Sequence, residues 1–141
     1  MPKPKEPQEY DFCAMAYFSI GLSNNQKLAV LNFFSVIATS TPNNKINKIE
    51  LAFMDQYFKE FGVTGNQFLA YILMGGRGQT IADIKSLDIR NLQDLVYATT
   101  ELFNCDGSMT EEQFEALLNW LDEIGMSIDE WLDLGDNINL Y

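Results

Sequence analysis

The carboxylates around "FNCDGSMTEEQFE", residues 103–115, come nearest in type and spacing to doing chemistry. Asp106, Glu111, Glu112 and Glu115 crowd one turn and the start of the helix that follows it. Hard divalent cations take oxygen ligands of this kind. Glu111 and Glu115 also form an i,i+4 like-charge pair, mildly unfavourable unless something neutralises it. The cluster carries the expectation of weak, non-selective Ca2+ or Mg2+ binding, with Asp106, Glu111, Glu112 and Glu115 as ligands. A full calcium loop is not written here. With Gly107 in the sixth place, the first, third, fifth, ninth and twelfth places fall on Leu102, Asn104, Asp106, Thr110 and Gln113. Such a loop needs oxygen ligands throughout and a bidentate Glu at its end. Leu102 offers no oxygen beyond its backbone, and Gln113 has no charge. A purely structural role accounts for the same residues at less cost. Asp106-Gly107 makes a turn, and Thr110 with Gln113 forms a capping box that starts a helix.

Other chemistry is thinly represented. The chain has no histidine, which removes the commonest general base and every Ser-His or Cys-His nucleophile pair. Its two cysteines, Cys13 and Cys105, stand far apart beside apolar residues. They cannot supply the Cys/His ligand set of a structural zinc site and are expected as reduced core residues. "GGRGQT", residues 75–80, lacks the Lys-Ser/Thr of a phosphate-binding loop and reads as a flexible hinge. No catalytic residues and no cofactor beyond a weakly held cation are expected, so the chain is read as a non-enzyme.

Charge is distributed unevenly. The formal net charge is −11 over 141 residues. Residues 1–70 hold six lysines against six acids, whereas residues 71–141 hold Arg77, Lys85 and Arg90 against fourteen acids. A nucleic-acid binder needs a basic footprint, so direct DNA or RNA binding is disfavoured. An acidic half suits solubility, cations or a basic protein partner. No apolar run is long enough to span a bilayer, and the run "FCAMAYFSIGL", residues 12–22, lacks the flanks of a signal peptide. A cytoplasmic location is expected, and the oligomeric state is open.

The elements that must position these residues are helical almost throughout. Residues 1–9, Pro- and Lys-rich, read as a flexible tail before a single domain over 10–141. Ser23-x-x-Gln26, Thr64-x-x-Gln67, Thr110-x-x-Gln113 and Ser127-x-x-Glu130 each fit a capping box. Asp88 fits a cap for another helix, and Thr80 with Asp83 for a short one. Amphipathic helices are expected over 25–38, 48–61, 89–103 and 111–124. The apolar face of the last is expected to be Phe114, Leu117, Leu118, Leu121 and Ile124. Gly62 and Gly125 sit where left-handed residues would end two of these helices. The "YFSI" run, residues 17–20, is ambiguous between strand and helix.

Sliding the chain by 63 residues lays "NNKINKIELAFMDQYFKEFGVTGNQFLAYI" on "DGSMTEEQFEALLNWLDEIGMSIDEWLDLG". Caps, core positions and glycines fall together. Two similar helical units are therefore expected, about 22–73 and 81–135, joined by a hinge at 74–80.

The run "LVYATTELFNCDGSMTEEQFEALLNWLDEIGMSIDEW" resembles the tellurite-resistance TerB family and its TerB-like relatives, including those on some membrane-associated J-domain cochaperones. The resemblance covers about residues 22–135. It implies an all-helical fold of two pseudo-symmetric halves, no established catalysis, and an acidic, metal-linked module of stress-response or membrane-associated assemblies. The family turn pairs Asp-Gly with a Glu seven residues after the Asp. Here Asp106-Gly107 is followed by Gln113, and Glu50 is preceded by Asn43-Asn44, so neither unit has both acids. The fold class expected is all-α, a compact bundle of two pseudo-repeated units. The function expected is protein interaction or scaffolding, the acidic half facing its partner. Two alternatives stay open: a weak divalent-cation-binding stress protein, and an acidic inhibitor that mimics nucleic acid toward a basic protein.

Overall fold

Helix α1, Asn24–Thr39, has one charged residue, Lys27, in sixteen positions. Its buried residues run Leu28 to Phe34 without a break and resume at Ile37 and Ala38. A helix that is apolar on all sides belongs inside a domain rather than on its surface, and α1 is the axis of this one. The amphipathic helix expected over 25–38 is therefore a central helix instead. The computed structural model describes residues 18, 21–42, 44–105, 107 and 109–139. Around α1 come α2 (Lys48–Phe61), α3 (Gly65–Met74), α4 (Gly76–Lys85), α5 (Ile89–Asn104), α6 (Glu111–Ile124) and α7 (Ile128–Asn139). Helices α2 to α6 all pack on α1, and α7 lies against α5 and α6. The protein is an all-α bundle with no strand among its described residues. No helix among them is long and apolar enough to cross a membrane. The expected tail, Cys13, Asn43 and Asp106 lie outside the described residues, as does most of "YFSI".

Local signals place the helix starts. Ser23, Thr64 and Thr110 each accept from the third helical N–H while the Gln at that position returns to the cap N–H. Ser127 and Glu130 exchange the same two bonds, at 3.1 and 2.8 Å. Asn47 and Asp88 cap α2 and α5 through their side chains. Helices α2 and α6 share bounds under the 63-residue shift, Lys48 with Glu111 and Phe61 with Ile124. Each closes on a left-handed glycine, Gly62 at φ 69° and Gly125 at φ 82°, a conformation in which a Cβ is strained.

Residues 76–80, expected as hinge, are the first half of α4, and only Gly75 separates α4 from α3. Two side chains fasten this glycine-rich helix. Thr80, expected as a cap, is buried inside it, donates to Gly76 O at 3.0 Å and accepts from Asn32 Nδ2 at 2.9 Å. Arg77 lays its guanidinium 3.9 Å from the Trp120 ring centroid and pairs with Glu123 at 2.6 Å. Tertiary contacts thus override a poor helix propensity.

The core is strongly aromatic. Phe33 stacks on Trp120 at 5.4 Å and on Trp131 at 5.9 Å. Phe34 meets Phe53 and Tyr57, so adjacent residues of α1 tie the rings of α2 to those of α6 and α7. Lys27 Nζ donates to Phe61 O at 3.4 Å, where a cation suits the carbonyl end of α2.

Candidate functional site

The start of α6 differs from expectation by one position. Its buried residues are Gln113, Ala116, Leu117, Trp120 and Leu121. Phe114, expected in the core, is 37 % exposed, and Leu118 and Ile124 are only partly covered. Gln113 takes the inward position because it has partners there. Its Nε2 donates to Glu50 Oε2 at 2.9 Å and approaches Ala38 O at 3.4 Å. Its Oε1 accepts from Thr110 N at 3.2 Å. Glu50 is equally buried, at 1 % exposure, and its N–H bonds Asn47 Oδ1 at 2.8 Å. Thr110 Oγ1 reaches Ser40 O at 3.4 Å. The approaches to α2 and α6 therefore lie side by side at the end of α1.

Glu111, Glu112 and Glu115 are exposed on α6, as is Phe114. Glu111 and Glu112 occupy the first turn, where the helix dipole favours negative charge. That offsets the repulsion of the i,i+4 pair. Asp106 lies outside the described residues, and among those described no group of three or more His, Cys, Asp or Glu is placed to hold a metal ion. The exposed acids continue through Asp122 and Glu123 and, on α7, through Asp129, Glu130 and Asp133. Met109 and Leu132 are exposed apolar residues in the same part of the chain, at 47 and 56 %.

No family model, curated protein or solved structure matches this chain. Its surfaces must be read from their own chemistry.

A second polar group sits at the α3–α4 junction. Tyr71 OH donates to Asp83 Oδ2 at 2.8 Å, and Gln79 Nε2 lies 3.0 Å from both oxygens of Asp83. Burial pushes the Tyr71 phenol well above its usual range; Thr80 lowers it, and Asp83 raises it further. A phenol held neutral is an inert donor, not a base. Arg77, the cation of the glycine-rich segment, is engaged with Trp120 and Glu123. Sequence reasoning missed the exposure of Phe114, and the polar Gln113 beside it, at the position that pairs with Glu50 under the 63-residue shift, was the available signal.

Proposed function

We propose that this chain is a non-enzymatic interaction module, TerB-like in design, that binds a basic protein segment through the acidic surface of α6 and α7 with Phe114 as its anchor. The observation that carries this is Phe114, 37 % exposed on a helix whose Glu111, Glu112 and Glu115 are exposed as well. Aromatic residues dominate binding energy where a rim excludes water. Exposed carboxylates on the same helix steer cationic partners and repel acidic ones. The shared bounds and glycine ends of α2 and α6 support the TerB-like design. They leave Glu50 and Gln113 paired with each other at the positions where the family motif calls for Glu.

The test compares affinity capture from the native host with wild-type protein, Phe114→Ala and Glu111→Lys/Glu115→Lys. A shared basic partner should be held by the wild type, released by about 0.5 M salt, and lost from both variants. Retention of the same partner by both variants would sink the proposal.

A further inference from the structure

A cavity of about 510 Å³ opens between α1, α2 and the start of α3. Its walls are Ile46, Leu51, Met54, Phe58, Val63 and Phe68. Phe58 and Phe68 meet edge to face at 5.3 Å and 78°. Ser35 and Thr39 of α1 are the uncharged polar side chains of the lining, and the Thr39 hydroxyl is already committed to Ser35 O at 2.8 Å. Asp55 and Lys59 stand at the rim as an i,i+4 pair, 3.5 Å apart, with side chains 63 and 78 % exposed.

We propose that this cavity binds a single-chain anionic amphiphile, its tail against Leu51, Met54 and Phe58 and its headgroup at Lys59. The volume is that of a small-molecule site, apolar with a few polar groups at its edge. Charge selects the headgroup. On α2, Lys59 follows Asp55 by one turn and is the cation of the cavity lining. The Glu50 carboxylate points away, into its buried bond with Gln113. Asp55 alone of the lining residues opposes an anion, whereas fourteen of the chain's twenty acids lie beyond residue 70. The Lys59–Asp55 pair is exposed and weak, so Lys59 gives up little when it turns to a ligand. Its methylene stem can lie along an alkyl tail.

The test is calorimetric titration of the full chain with octanoate, decanoate and dodecanoate below their micelle concentrations, with dodecyltrimethylammonium as the cationic counterpart. Affinity should rise about fourfold per added methylene, and dodecanoate should bind more tightly than the ammonium. Lys59→Glu should weaken dodecanoate about fivefold, and Leu51→Asp, at a position 54 % exposed and so tolerant of substitution, should weaken it further. Circular dichroism checks that both variants stay folded. No dependence on chain length, equal binding of the cation, or unchanged affinity in both variants would overturn the proposal. So would the absence of dodecanoate binding together with a concentration-dependent dimer that Leu51→Asp dissolves, which assigns the cavity to a second copy.

Discussion

Gln113 Nε2 lies 2.9 Å from Glu50 Oε2, joining residues 63 positions apart in a buried bond between α2 and α6. Each is the third residue of its helix. Only an amide serves Gln113's site, because its oxygen closes the cap at Thr110 while its nitrogen donates to Glu50. A glutamate could make the cap but would set a second carboxylate against the first. Gln113→Glu should therefore destabilise the fold by about 3–5 kcal/mol at pH 7, the cost of an uncompensated buried charge. Like charges raise the folded pKa of the pair above the unfolded Glu value of about 4.3. Stability is then present below that value and lost as pH rises through the folded one. Denaturant midpoints at pH 4 and pH 7 check this; equal losses at both would refute the charge-repulsion account.

The same bond shows where the sequence was legible. The caps at Ser23, Thr64, Thr110 and Ser127 join residues three apart, so each is written locally. The inward turn of Gln113 depends on Glu50, in a distant helix, and hydrophobic periodicity assigned the core position to Phe114 instead. Helix α4 was illegible for a similar reason, since its glycines signal a loop while Asn32 and Trp120 hold it from elsewhere. Asp106 lies outside the described residues, while Glu111, Glu112 and Glu115, expected beside it as ligands, stand exposed on α6.

Arg77 should behave as a clamp between α4 and α6. The Arg77 and Glu123 side chains are 40 and 37 % accessible, whereas the Trp120 ring under the guanidinium is fully buried. Joint loss of the stacking and the ion pair in Arg77→Ala is expected to cost about 1 kcal/mol. Arg77→Lys should recover less than half, because an ammonium lacks the planar face and fork. Thermal melts followed by tryptophan fluorescence measure both variants, and a silent Arg77→Ala would show that the clamp carries no stability.

Stability should fall at high pH because of Tyr71. Its folded pKa is raised above the ordinary value of 10.0, first by burial and then by Asp83. A raised folded pKa means the stabilisation is fully present below pH 10 and is lost as pH climbs above it. Tyr71→Phe should flatten that decline while costing about 1 kcal/mol at pH 8 through the lost bond to Asp83. Urea denaturation from pH 8 to pH 11.5 separates the two effects, and parallel curves for wild type and variant would exclude Tyr71 as the titrating group.

Asn32 and Thr80 form a buried polar pin between α1 and α4, away from the exposed bond of Gln26 to Ser86 at the end of α4. Asn32 is 7 % exposed and Thr80 fully buried, and their side chains meet at 2.9 Å between α1 and α4. Thr80→Val keeps the shape of the side chain but strands the Asn32 amide, an outcome that costs about 1–3 kcal/mol. Asn32→Leu alone leaves the Thr80 hydroxyl with Gly76 O as a partner, so it should cost less. Combining the two removes both polar groups, and the double variant should be more stable than Thr80→Val alone. A double-mutant cycle with denaturant midpoints isolates this coupling. A strictly additive result would mean that the Asn32–Thr80 bond contributes nothing to holding α4, despite its glycines, on α1.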